Sequence, residues 1–489
     1  MEHFAATVAL VGLVIVIASL LSGALERSGL PLVAVFLGLG VAIGPAGLSL
    51  VDIRLGSPTL QVLATLGLAL VLFSDAVTID TGELRRERAL VLRLLGPGTL
   101  LPAATTAAAA WLLLDVPPAS AAIVGAALAS TDPVILRGVL RSGAVGPRVR
   151  LALRLETGMN DVVLLPILAV AILLSRAGVS SDEAMVHDVG RALLGLFVLG
   201  PLLGAFVGWV GITALVQVRG RLGVRRDYES LYALGLAFTG YAAAEAVGGS
   251  GFLAAFAAGL VVAAQDVELC DCFMEYGEAT AEMLLLFTFV AFGTSPIWSG
   301  LEVVDPRTLA FVGVALLVRP AVLVPVLGRS GLAPGERRII ALLGPRGLSA
   351  LLLALLAVYA GVPGAARLFA VTSLVVLVSL VLHGTAIAVF LRRNRPAVSR
   401  TPSTSPRDDA STAAPMETET DAERITLDEL DGMLGRGEPV VVVDSRSAKS
   451  YDADQLEARG AVRLLPDDPV REAERLRLPR DTTLAVFCA

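Results

Sequence analysis

Ala129-Ser130-Thr131-Asp132-Pro133-Val134 interrupts a stretch that is otherwise apolar from residue 119 to residue 140. An aspartate at the centre of a membrane helix costs about 2.5–3.5 kcal/mol on insertion scales. Pro133, directly after it, has no N–H to donate. Together they predict a helix broken inside the membrane, its freed carbonyls and side chains facing a polar cavity. A proline kink with Asp132 capping the second half is the blander reading of the same residues. A second interruption, Gly344-Pro345-Arg346-Gly347, lies in the apolar stretch 338–361 and cannot run as a plain helix either.

Working outward, the composition fits a chain that lives in lipid. Apolar residues make up 55% and charged residues 17%, and the mean hydropathy is +0.75. A soluble domain is about 25% charged. Hydrophobic stretches can be drawn at 5–25, 31–50, 58–78, 90–114, 119–140, 150–175, 190–217, 229–247, 250–265, 280–298, 308–328, 338–361 and 367–391. A span needs about 20 residues to cross the hydrocarbon core. These give an all-α polytopic membrane protein of about 13 transmembrane helices. The segment 250–265 is short, and Gly248-Gly249-Ser250-Gly251 sets it off loosely, so a count of about twelve is the alternative. Met1-Glu2-His3-Phe4 lacks the basic start of a cleaved signal peptide, and 5–25 is read as a permanent span.

The basic residues sort by loop parity. Arg27, Arg85, Arg86, Arg88, Arg141, Arg148, Arg219, Arg221, Arg225, Arg226, Arg329, Arg337, Arg338, Arg392, Arg393 and Arg395 fall on one side, while Arg54, Arg176 and Arg307 fall on the other. The positive-inside rule then puts the N-terminus outside and the C-terminus in the cytoplasm. One break lies in the fifth span and one in the twelfth, so each is fifth in its own six-span block. An odd offset reverses the second block, which is the signature of inverted repeats with two broken helices crossing near the midplane.

Charged residues inside the spans are functional candidates by default. Besides Asp132, the sixth span carries Leu155-Glu156-Thr157-Gly158-Met159-Asn160-Asp161. Glu156 and Asn160 share a helix face, and Asp161 lies about 100° further round. Arg319, in the eleventh span, or Arg346, in the twelfth, could neutralise Glu156, since a buried charge needs a partner. Asp75, Glu245 and Glu282 are weaker signals, read as structural or interfacial. Asp132, Asp161, Asn160 and Thr131 together offer hard oxygen ligands to a small cation, with Na⁺ at Asp161 and Asp132. A desolvated carboxylate holds a proton more tightly than one in water. It can hold a proton or a metal ion but not both, and alternate exposure to the two sides then gives cation/proton exchange. No G-x-x-x-x-G-K-[ST] motif is present, which argues against a primary pump. No basic run resembles a nucleic-acid patch. Cys270 and Cys272 with the distant Cys488 are too few for a zinc site or a disulfide framework.

The residues "ASTDPV", "LETGMNDVVLLP", "LVRPAVLV" and "LLGPRGLSALLL", with "LALVLFSDAVTIDTGELRR" and "AEAVGGSGFLAAFAAGL", resemble the monovalent cation:proton antiporter-1 family, the NhaP-like sodium/proton exchangers. The resemblance covers about residues 5–392. It implies a secondary transporter of Na⁺ or Li⁺ against H⁺ in the plasma membrane, serving pH homeostasis. No enzyme activity and no cofactor beyond the transported ions is implied. It implies a homodimer in which a core moves against a dimerisation domain. Asp161 would be the principal cation- and proton-binding carboxylate, and Asp132 and Thr131 would belong to the crossing helix. Asn160 before Asp161 would mark electroneutral exchange. Glu156 would pair with a buried arginine, Arg319 ahead of Arg346. Thr157 stands where many members have serine, and the hydroxyl, and with it ligation, is expected to survive. The same machinery run on K⁺ is the alternative substrate reading.

Residues 393–424 are Ser/Thr/Pro-rich and then acidic, and are read as a disordered linker. Residues 425–489 hold a helix candidate, "ITLDELDGML", and three strand candidates in "PVVVVDSR", "AVRLLP" and "TLAVFC". This small α/β segment resembles a rhodanese domain, with Cys488 at the active-cysteine position. The anion-cradling loop that should follow is missing after Ala489, so the domain is read as partial and sulfurtransfer is not expected. A membrane-anchored sensor, with this tail in the regulatory role, is the reading from a different functional class.

Overall fold

The computed structural model describes residues 16, 32–79, 81–141, 144–177, 183–222, 226–265, 271–393, 427–436, 438–445, 460–464, 473, 475, 476, 478 and 482–487. The span drawn at 5–25 therefore lies outside the described residues apart from Val16, as do most of the linker and Cys488. The chain divides into two compact units, Met1–Ser399 and Arg400–Ala489.

The first unit is helical. Its elements are α1 (Leu32–Ile43), α2 (Pro58–Val77), α3 (Arg88–Leu95), α4 (Pro97–Leu114), α5 (Pro118–Ala129), α6 (Pro133–Arg141), α7 (Pro147–Ala177) and α8 (Glu183–Leu194). A π-helical turn at Gly195–Leu199 leads into α9 (Gly200–Leu222), followed by α10 (Arg226–Ala246), α11 (Gly251–Ala264) and α12 (Asp271–Thr294). Then come α13 (Pro306–Val326), α14 (Pro334–Leu342), α15 (Leu348–Tyr359) and α16 (Ala365–Arg393). Among the described residues, 7 helical stretches are long and apolar enough to cross a membrane. Shorter apolar helices lie at Val33–Ile43, Gly251–Ala264, Met283–Thr294 and Leu348–Tyr359. The chain is a multi-pass membrane protein, and its bare surface agrees: Leu112, Leu202, Phe206, Trp209 and Leu317 are exposed. Such a belt would be an aggregation hazard in water and is ordinary against acyl chains.

One stretch drawn from the sequence divides, and one loose boundary holds. The stretch 90–114 is two helices, because Gly96 closes on the Leu92 carbonyl and Pro97 begins α4 without needing a donor. The loose boundary at 248–251 is a true helix break. Gly248 takes φ +78°, the Ser250 hydroxyl accepts from Leu253 N, and Glu245 Oε1 accepts from Gly251 N at 2.9 Å. These caps satisfy donors that the start of α11 would leave orphaned. Glu245 is thus a cap, as its structural reading expected, and the side chain of Glu282 lies outside the described residues.

The scaffold around α9 is packed backbone to backbone. Gly200, Gly204 and Gly208 face α11, where an added Cβ would sit 2.7 Å from Ser250 O, 2.0 Å from Ala254 O and 2.7 Å from Ala258 O. Small residues at such spacing let membrane helices approach closely, which replaces the missing hydrophobic drive.

The second unit contains α17 (Leu427–Gly435) and the strands β1 (Val440–Asp444), β2 (Val462–Arg463) and β3 (Thr483–Phe487). The sheet order is β2-β1-β3, both pairings are parallel, and Val443 lies opposite Val462 and Val486. The all-valine start of β1 suits the central strand of a parallel sheet.

Candidate functional site

The site is built where two broken helices meet. The first break is Ser130–Asp132, between α5 and α6, and the second is Leu343–Gly347, between α14 and α15. Each break exposes carbonyls at one helix end and N–H groups at the next. The two breaks satisfy each other. Asp132 N donates to Pro345 O at 3.0 Å. The Asp132 carboxylate accepts from Val134 N at 2.7 Å and Ile135 N at 3.4 Å in α6, and also from Leu348 N at the start of α15. In return, Arg346 Nη1 donates to Ala129 O at 2.8 Å and Ser130 O at 3.0 Å, at the end of α5. The signs match the helix dipoles: an anion at two N-termini, a cation at a C-terminus. Gly347 is required by this contact, since a Cβ there would lie 2.0 Å from Asp132 Oδ2. Arg346 N is held by Ser379 Oγ at 2.7 Å, and the Ser379 hydroxyl lies 3.1 Å from His383 Nδ1.

α7 passes this crossing and supplies the second set of groups. Glu156 pairs with Arg319 of α13 through two parallel bonds, Nε to Oε1 at 2.9 Å and Nη2 to Oε2 at 2.8 Å. Arg319 Nη1 donates further to Ala341 O, near the end of α14. Gly344 leaves room for that guanidinium, because a Cβ would sit 2.2 Å from Nη1. Arg346 therefore serves the α5 carbonyls while Arg319 serves Glu156. Asn160 Nδ2 donates to Thr131 Oγ1 at 2.8 Å, which ties α7 to the first break, and Asn160 Oδ1 is buried without a partner. Thr157 turns its hydroxyl to its own helix, donating to Leu153 O at 2.9 Å.

Asp161 is different. It is 4% exposed, and it accepts from the Ser130 hydroxyl at the first break, with Ser349, in the first turn of α15, beside it. Among the described residues, no guanidinium bonds it. The other ionised groups of the crossing are committed: Glu156 to Arg319, Asp132 to two helix starts, Arg346 to a helix end. Asp161 alone of these faces neutral hydroxyl donors, which can let go when a cation or a proton arrives. The described residues contain no cluster of three or more His, Cys, Asp or Glu fit for a resident metal. One carboxylate among hydroxyl, amide and carbonyl oxygens suits a hard cation and not a soft, thiolate- or imidazole-seeking metal.

The sequence singled out Asp161, Asp132, Thr131, Asn160, Glu156, Arg319 and Arg346, and all meet here. Thr157 is nearby but bonded inward. Asp132 fits the capping reading, and caps two helices where the sequence suggested one. Ser130, Ser349, Ser379 and His383 were not singled out. Asp75, read as structural or interfacial, packs on α7, where a Cβ at Gly158 would lie 3.6 Å from its carboxyl carbon.

A family model described as the transmembrane part of sodium/hydrogen exchangers matches residues 12–393. The chain is similar to a K(+)/H(+) antiporter NhaP2 of Shewanella sp. strain ANA-3, 28% identical over 384 residues, covering 76% of this chain and 64% of that protein. It is also similar to a K(+)/H(+) antiporter NhaP of Alkalimonas amylolytica, 26% identical over 399 residues, covering 80% of this chain and 67% of that one. The chain thus spans under two thirds of the length of the Shewanella relative. Among solved structures, the sodium proton antiporter MjNhaP1 from Methanocaldococcus jannaschii at pH 8 shares the fold, with a TM-score of 0.62 at 21% identity, over 79% of this chain and 100% of that one.

Proposed function

The chain belongs to the sodium/hydrogen exchanger family, and from that premise we propose that it exchanges a monovalent cation, Na⁺ or Li⁺, for H⁺ across the cell membrane by alternating access. One observation carries the reading: at a crossing where the other charges are committed, Asp161 is a buried carboxylate held by a neutral hydroxyl. Proton and cation compete for that group. Thr131 and Asn160 lie beside it, and the unpartnered Asn160 Oδ1 is an oxygen left over for an ion. With an amide at 160 where a second carboxylate could stand, a single titrating site trades one cation for one proton, and the exchange is electroneutral. K⁺ is the second reading, favoured by relatives named as K(+)/H(+) antiporters.

The arginine parity supports an outside N-terminus and a cytoplasmic C-terminus. A homodimer fits the family, and the exposed apolar stripe of Leu202, Phe206 and Trp209 on α9 offers such a face. The α/β unit is assigned a regulatory part, as a rhodanese-like domain.

The test is dissipation of an imposed pH gradient in liposomes holding the full chain, on adding Na⁺, Li⁺ or K⁺. The wild type responds to at least one cation, and Asp161→Asn does not. A wild type silent to all three cations removes the antiporter reading, and full activity in Asp161→Asn removes the site.

A further inference from the structure

Asp161 lies in the middle of α7, far from the ends of its own helix, so its partners come from elsewhere. Ser130 of the first broken helix bonds it, and Ser349 of the second lies beside it. Ser130 is the residue on which α5 ends, in extended backbone at φ −62° and ψ 141°. Its carbonyl is pinned by Arg346 Nη1 at 3.0 Å while its hydroxyl bonds Asp161 Oδ1. Ser349 follows Leu348, whose N–H bonds Asp132, and it is 7% exposed. The backbone on both sides of the crossing is therefore fixed, and the two hydroxyls are the groups left to adjust.

A hydroxyl carries one donor and two acceptor lone pairs, and it rotates to suit its surroundings. Beside an empty, ionised Asp161 it donates. Beside a protonated Asp161 it can accept. Beside an alkali cation it must turn its lone pairs inward and become a ligand. A serine inside a membrane helix ordinarily bonds the carbonyl four residues back, as Thr157 does here on Leu153. Ser130 departs from that habit by spending its hydroxyl on the carboxylate.

We propose that Ser130 and Ser349 form a hydroxyl pair, one from each broken helix, that ligates the transported monovalent cation at Asp161 and sets its affinity and size preference. This rests on Asp161 being the exchanging carboxylate. The pair grips a small ion, which needs close oxygens on both sides, more than a large one. Losing one hydroxyl widens the cavity and penalises Li⁺ and Na⁺ more than K⁺.

The experiment uses the full chain in liposomes at one fixed pH, with KM and maximal rate read for Li⁺, Na⁺ and K⁺. Ser349→Ala raises KM for Na⁺ about tenfold, the equivalent of one lost ligand, lowers the maximal rate far less, and shifts preference toward K⁺. Ser349→Thr keeps the hydroxyl and stays close to wild type. Ser349→Cys keeps the volume but offers a soft sulfur, and it behaves like Ser349→Ala, which separates ligation from packing if the alanine variant does not fold. Wild-type KM and cation preference in Ser349→Cys, with Asp161→Asn inactive beside it, overturns the pair and leaves the exchange reading standing. Full exchange by Asp161→Asn would instead bring down the exchange site itself.

Discussion

The crossing of α5/α6 with α14/α15 and the seam between α9 and α11 solve the same problem in opposite ways. Both bring backbone close to backbone inside a membrane. The seam does it with nothing but hydrogen atoms: Gly200, Gly204 and Gly208 let α9 lie on α11 with intact helices on both sides. The crossing breaks its helices, and then closes the open ends with Asp132 and Arg346. A glycine seam is rigid and chemically mute. A charge-capped crossing has partners that can be exchanged, and it leaves one carboxylate available for an ion. The difference teaches where chemistry belongs in this molecule: at the capped ends, and not along the glycine seam.

The comparison can be broken or sharpened by substitution. The largest effect is expected at the buried pair beside the crossing. Arg319→Ala leaves Glu156 charged and unpaired and should cost about 3–5 kcal/mol, read as a loss of thermal stability in detergent. Adding Glu156→Gln should restore part of that loss, so the two effects will not add. Gly347→Ala is next. Its Cβ would collide with Asp132 Oδ2, so exchange should fall below about a tenth of wild type while part of the folded protein survives. On the seam, Gly204→Ala would meet Ala254 O. It should lower stability by about 1–3 kcal/mol and leave the cation KM of the surviving protein unchanged. An altered KM there would show that the seam moves with the site.

The smallest effect lies outside the membrane. Asp305 caps α13, and the Thr308 N–H, foremost, with the Thr308 hydroxyl and the Arg307 N–H, holds its carboxyl below the usual range. A carboxyl lowered on folding adds stability above the ordinary carboxylate range, and that stability is lost as pH falls through its folded value. Asp305→Ala should therefore melt slightly earlier than wild type at neutral pH, and the gap should close in acid.

Much of this was legible in the sequence because helix breaks have a local cause. Asp132-Pro133 and Gly344-Pro345-Arg346-Gly347 cannot run as plain helices, whatever surrounds them. What the breaks bond to was not legible. Arg319 and Arg346 are both buried cations near a break, and which one reaches Glu156 depends on how the helices cross. The two serines escaped notice for a similar reason: nothing local distinguishes a hydroxyl that bonds its own helix from one that bonds Asp161. Asp75 was left between a structural and an interfacial role because distance along a span does not say which neighbour packs there, and Gly158 makes the room.

The bond from Leu348 N to Asp132 joins residues 216 apart in the chain. During synthesis the first half of the protein is therefore threaded into lipid with a carboxylate whose second helix start does not yet exist, and with α5 carbonyls still waiting for Arg346. Contacts that distant form late. The half-made chain has to be sheltered until the second broken helix arrives, and a product ending before residue 346 would leave both Asp132 and the α5 carbonyls short of their partners.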